Sequence, residues 1–188
     1  MSKNTRKIVM TGLLTALVVV LQFVSMNIRT GTFSITLSLV PMVVGAALYG
    51  KWSGAWLGGV FGLSVLLTGD ANTFLVVSAV GTVLTVMLKG ILAGFVSGLV
   101  YELISKKNDT VATYISGVLT PIVNTGVFIL GCLAFFMPTI KSWAGETNAI
   151  KFLFVGVIGF NFFIELAVNL ILSPTIAKII KIGKKEKV

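Results

Sequence analysis

The chain has 188 residues, 56% of them hydrophobic and only 11% charged, against about 25% charged in a typical soluble domain; its mean hydropathy is +1.02. This composition excludes a soluble globular protein and describes one integral membrane domain. The formal charge is +9, with no histidine and a single cysteine, Cys132; the commonest general base, a disulfide within the chain and a Cys-based metal site are thereby set aside.

The N-terminus is short and basic, with Lys3, Arg6 and Lys7. An apolar run follows and is expected to form a first membrane span over 8–26. It is longer than a signal-peptide core of about 7–15 residues and ends in VSMNIRT rather than at a small-residue cleavage site. Gly12 and Ala16 form a small-xxx-small pair, a pattern that lets helix backbones approach closely. The polar stretch NIRTGTFS carries Arg29. A second span is expected over 35–49 with Pro41 inside it, and a proline there removes a backbone donor and bends the helix. GKWS makes a basic turn at Lys51. A third span over 54–68 has Gly54, Gly58 and Gly62 at every fourth position, and the next turn holds Asp70.

The fourth span, 75–104, is the most informative. Its one charge before Glu102 is Lys89, halfway along. A lysine at mid-membrane costs from about 3 to over 10 kcal/mol and normally faces a protein interior or a water-filled cavity. Ser78, Thr82, Thr85, Lys89, Ala93 and Ser97 fall at spacings of three and four, which makes one stripe on a helix. Gly90, Gly94 and Gly98 make a second, packing stripe.

SKKNDT is a charged loop. A fifth span over 111–136 has Pro121 and Asn124 near its middle. Residues 137–150, with Pro138, Trp143 and Glu146, are expected to be a loop. The sixth span, 151–172, carries Asn161, Glu165 and Asn169 four residues apart, so they share a face. Pro174 is expected to break or kink the chain before a basic tail, 175–188.

The expected fold is an all-α membrane protein of six spans. With both termini cytoplasmic, that side holds the N-terminal basic residues, Lys51, Lys106, Lys107 and the lysine-rich tail, while the other side holds Arg29, Lys141 and Lys151; the positive-inside rule favours this orientation. At 1.5 Å per residue, Lys89 and Glu165 each lie roughly 22 Å along their spans and Asn124 about 20 Å from the same side. Three polar side chains therefore meet near one level. Gln22 and Ser25 are placed to join from above, with Arg29 and Asp70 in loops over the top. Two readings stay open: a ligand pocket, or a structural ion pair between Lys89 and Glu165. The aromatic residues Phe160, Phe162 and Phe163 lie close by.

Other chemistry fits poorly. GAALYGKW, from Gly45 to Trp52, approaches a phosphate-binding loop, but Trp52 replaces the hydroxyl residue that would hold Mg²⁺. Asp70 and Asp109 fall on opposite sides of the membrane, so no paired-carboxylate site forms. The positive charge follows the loops, and no nucleic-acid surface with polar readers is present. No inverted repeat is evident, which weighs against a self-contained carrier. A stand-alone carrier or channel for a small polar solute and a ligand-free scaffold remain as alternatives.

The chain resembles the substrate-binding S components of energy-coupling factor (ECF) vitamin transporters, in the broad family with riboflavin, folate and pantothenate members. The likeness covers nearly the whole chain. It rests on the six-span layout, on Gly12-x-x-x-Ala16, on ITLSLVPMVVGAALYGKWSGAWLGGVFGL, on PIVNTGVFILG and on FNFFIELAVNLILSPTI. The family's usual first-span motif is Ala-x-x-x-Ala, so Gly12 departs from it. The resemblance implies no enzyme activity and no cofactor. It implies a multi-pass subunit of the bacterial cell membrane that captures a vitamin outside and docks on a membrane T component with two cytoplasmic ABC ATPases. It places Gly12 and Ala16 at the docking surface and the vitamin against the fourth to sixth spans and the outer loops. Candidate ligand-binding residues are then Lys89, Asn124, Asn161, Glu165, Asn169, Arg29 and Thr85. Lys89 suits a carboxylate, and Glu165 with the asparagines suits hydroxyl and amide groups; pantothenate carries all of these.

Overall fold

The computed structural model describes residues 3–27, 29–30, 33–34 and 36–185. The expected start of the second span at Ile35 and the last three residues of the tail lie outside them. Helix α1 (Lys3–Asn27) leads into a two-residue antiparallel pair, β1 (Arg29–Thr30) and β2 (Phe33–Ser34). Then come α2 (Leu39–Tyr49), α3 (Lys51–Leu67), α4 (Asn72–Leu75), α5 (Ala79–Ile104) and α6 (Asp109–Gly131). A π-helical stretch, Cys132–Phe136, carries α6 into α7 (Met137–Ala144). Helix α8 (Ala149–Phe152), a second π-helical stretch (Leu153–Ile158) and α9 (Gly159–Lys185) complete the order.

Among the described residues, four helical segments are long and apolar enough to cross a membrane: Asn4–Asn27, Ala79–Ile104, Asp109–Ala144 and Asn161–Lys185. Many of their large apolar side chains point outward, among them Ile8, Val80, Leu130 and Ile171. Such a surface belongs in lipid, because exposed apolar patches of this extent are rare on soluble monomers. Helices α2 and α3 are shorter.

The structure redraws several expected boundaries. The fourth span is interrupted: α4 stops at Leu75, and α5 starts only after Ser78, an extended N-cap residue whose Oγ accepts a hydrogen bond from Gly81 N–H at 3.2 Å. The expected loop at 137–150 is partly helix, because Pro138 sits in the first turn of α7, where its missing N–H costs nothing. Asn108 caps α6 by accepting from Thr110 and Val111 N–H. The sixth span is two pieces. Gly159 adopts φ 46°, ψ −143°, a conformation open in practice only to glycine, and the helix begins again there. Pro174 does not end it: α9 runs on to Lys185, so most of the basic tail is helical.

Helix α5 packs most extensively against α3 and α6, and α6 against α9. The α3 contact is made of backbone. A Cβ built on Gly58 would stand 2.0 Å from the Gly90 carbonyl oxygen, and one on Gly94 would stand 2.0 Å from that of Gly54. Small residues of this kind substitute for the hydrophobic effect, which does not draw helices together inside lipid. Apolar clusters close the two ends of the bundle: Phe74, Cys132, Phe136 and Ile140 at one, Val43, Tyr101, Ile176 and Ile180 at the other. The second end is also tied by polar contacts. Asp109 accepts from Tyr101 Oη at 3.1 Å and pairs with Lys184, whose ammonium lies 5.2 Å from the centre of the Tyr101 ring. Glu102 accepts from the Lys51 backbone N–H at 3.0 Å and lies 3.5 Å from its ammonium.

Candidate functional site

Three helices bring polar groups to one cleft. Helix α5 supplies Lys89, α6 supplies Asn124 and Thr125, and α9 supplies Asn161 and Glu165. Phe128, Phe162 and the Val157–Ile158 stretch just before Gly159 complete its walls. The cavity inside the cleft measures about 60 Å³, room for a few water molecules at roughly 10–15 Å³ each on this measure.

The Lys89 ammonium rests over two rings, 5.6 Å from the centre of Phe61 and 5.4 Å from that of Phe128. The carboxylates of Glu165 and Asp70 act on its charge. No ion pair joins Lys89 to Glu165 among the described residues, whereas Lys51 and Glu102 are close enough to form one. Glu165 is 6% exposed, and its Oε1 accepts from the backbone N–H of Thr36 at 3.2 Å. Thr36 lies between the β1–β2 pair and α2, a partner 129 residues away that no motif announced. Asn124 is 4% exposed, and its Oδ1 has no hydrogen-bond partner. A buried amide oxygen left unpaired is costly unless something else enters to meet it.

The other expected residues fall elsewhere. Asn169 is fully buried one turn beyond Glu165, and its Nδ2 donates to the Glu165 backbone oxygen at 2.9 Å; it braces the helix rather than lining the cleft. Thr85 lines a second, smaller cavity of about 30 Å³ beside Lys89, together with Asp70 and Thr82. The backbone of Arg29 pairs with that of Ser34, and its side chain lies outside the described residues, as does that of Phe160. Phe163 points away, 63% exposed. Gln22 and Ser25 are buried but serve the entry to α2: Ser38 Oγ lies 3.4 Å from Gln22 Oε1, and Leu37 N–H donates to Ser25 Oγ at 3.2 Å. Phe162, one of the aromatics expected close by, lines the cleft; Thr125 and Phe128 line it without having been singled out in the sequence, although Thr125 adjoins Asn124 and Phe128 lies one turn beyond it.

A second surface lies on α1. Gly12 and Ala16 are exposed, and no atom stands within 4 Å of a Cβ built on Gly12. Beside Gly12 runs a groove of about 500 Å³ between α1 and α3, bounded by Lys7, Ile8, Trp52 and Trp56. Hydroxyl contacts floor it: Trp56 Nε1 donates to Thr15 Oγ1 at 3.1 Å, and Thr11 Oγ1 lies 3.2 Å from Ser53 Oγ.

The family model described as "ECF transporter, substrate-specific component" matches residues 6–177. Among solved structures, ThiT from Listeria monocytogenes shares this fold with a TM-score of 0.65 and 20% identity, over 95% of this chain and 99% of that one. A search of curated proteins gives no match to the sequence.

Proposed function

The chain belongs to the substrate-specific components of ECF transporters, and from that premise we propose that it captures a water-soluble vitamin from outside the cell in the Lys89–Glu165 cleft. It is a membrane transport subunit and not an enzyme. The observation that carries the proposal is the convergence of Lys89, Asn124, Asn161 and Glu165, from three helices, on one space in which the cation and the anion stay unjoined. A purely structural pair would close that gap, since separated buried charges give up their attraction and keep their desolvation cost.

Pantothenate is the first candidate ligand. Its carboxylate suits Lys89, and its hydroxyls and amide suit Glu165 and the asparagines. In this reading the chain crosses the bacterial plasma membrane six times with both termini inside, and the exposed Gly12–Ala16 face meets a T component that carries two ATPases. The open space around Gly12 supports that role, because a partner helix can come close there without displacing any side chain. Calorimetry of the purified protein against a vitamin panel tests the ligand: saturable binding of pantothenate is expected, and binding of another vitamin alone would replace it. Co-purification tests the assembly. Uptake by this chain without a T component and ATPases would instead mark a stand-alone carrier.

A further inference from the structure

We infer that the groove between α1 and α3 holds one anionic phospholipid, with its phosphate at Lys7 and an acyl chain laid between Trp52 and Trp56. The two helices run side by side in the same direction there, because Thr11 meets Ser53 and Thr15 meets Trp56. Lys7 and Trp52 therefore share the basic end of the groove, and Thr15 and Trp56 lie deeper. From Lys7 to Thr15 is about 12 Å of helix, most of the roughly 15 Å that one leaflet contributes to the hydrocarbon core. Charge complementarity names the head of the occupant. The chain has no acidic residue before Asp70, so α1, α2 and α3 contribute cations alone. Glu102, which reaches α3 from α5, is spent on Lys51. An exposed lysine at a membrane surface attracts anionic headgroups.

The walls and floor make this a built site rather than bare helix surface. Trp52 and Trp56 are 72% and 61% exposed, yet neither ring is loose. Trp52 packs edge-on against Phe95, with 5.3 Å between ring centres, and Trp56 is held by its hydrogen bond to Thr15. Walls fixed before binding lower the ordering cost of binding. The floor asks for nothing polar: Thr11 pairs with Ser53, and Thr15 donates to the Thr11 carbonyl while accepting from Trp56. An apolar chain covers that floor without stranding a hydrogen-bonding group, and tryptophan is enriched at this level of a membrane. Gly12 keeps the middle of the groove open. A T component meeting the Gly12–Ala16 face must displace this lipid; that consequence rests on the proposed docking role, and the lipid site does not.

The test reads the tryptophans. The full chain carrying Trp143→Phe, so that only Trp52 and Trp56 report, is reconstituted in phosphatidylcholine vesicles with rising fractions of phosphatidylglycerol brominated on its acyl chains; bromine quenches an indole that it touches. A parallel series uses brominated phosphatidylcholine. Half-maximal quenching is expected at a mole fraction about fivefold lower for the phosphatidylglycerol, the preference that one lysine at a membrane surface confers. Lys7→Gln should bring the two curves together, whereas Lys181→Gln, on α9 and outside the groove, should leave them apart. Gly12→Phe should fill the groove and remove the early quenching without lowering the melting temperature. Coincident curves before any change at Lys7, a preference that survives Lys7→Gln, or early quenching untouched by Gly12→Phe overturns the inference. A preference lost equally in Lys181→Gln marks attraction to net charge and overturns it as well.

Discussion

Toward α3, helix α5 presents Gly90, Gly94 and Gly98; toward the cleft and the smaller cavity beside Lys89, the same helix presents Thr82, Thr85 and Lys89. On the glycine side, backbone meets backbone and no room remains for a methyl group. On the other side, long and polar side chains leave two cavities. The difference teaches how a small membrane protein holds a costly buried lysine in place. One face of the helix is fixed by contacts that cannot yield, which leaves the opposite face free to be imperfectly packed. Preorganised sites depend on this kind of rigid support.

The sharpest way to break the contrast is to thicken the seam. Gly58→Ala puts a carbon 2.0 Å from the Gly90 carbonyl, a backbone atom with nowhere to go. We expect a loss of about 3 kcal/mol or more, the upper range for overpacking, read as thermal unfolding in detergent. A melting temperature equal to that of the unaltered protein would show that α3 and α5 can part cheaply. On the open face, Lys89→Ala should weaken pantothenate binding by about 2 kcal/mol or more, the scale for truncating a buried charged contact, or roughly 30-fold. The melting temperature should fall less than in Gly58→Ala, because what is lost is the ammonium's contact with the Phe61 and Phe128 rings. Calorimetry that finds unaltered affinity in the folded variant removes Lys89 from the site.

Two glycines outside the seam set the lower end of the scale. Gly12→Leu meets open space, so stability and vitamin binding should stay as they are while uptake by the assembled transporter falls. Loss of binding would instead give Gly12 a role in the fold. Gly59, next to Gly58 on the same helix, would bring a Cβ no closer than 3.6 Å to Ile91. Gly59→Ala should stabilise the protein by up to about 1 kcal/mol, the helix-propensity difference. A destabilisation there would extend the seam one residue further round α3.

The level of the site was legible in the sequence. Helical rise alone put Lys89, Asn124 and Glu165 at one height, since it needs only rough span boundaries. The reach of the asparagine ladder was not. Eight residues of α-helix advance about 12 Å and drift roughly 80° in azimuth, so Asn161 lines the cleft while Asn169 falls below it, against the Glu165 carbonyl. The interruption before α5 escaped notice because Val76 and Val77 continue the apolar run, although Ser78 is an ordinary N-cap residue. The break at Gly159 was hidden in the same way, by apolar neighbours on both sides. Thr36 as the partner of Glu165 could not be read at all, because only the fold brings that backbone N–H across from the start of α2.

The ties among Tyr101, Asp109 and Lys184 anchor α5, α6 and α9 at the basic end of the bundle. They make it the fixed end of all three helices that line the cleft, and the cleft itself lies about 34 Å of helix away, from Lys184 to Asn161.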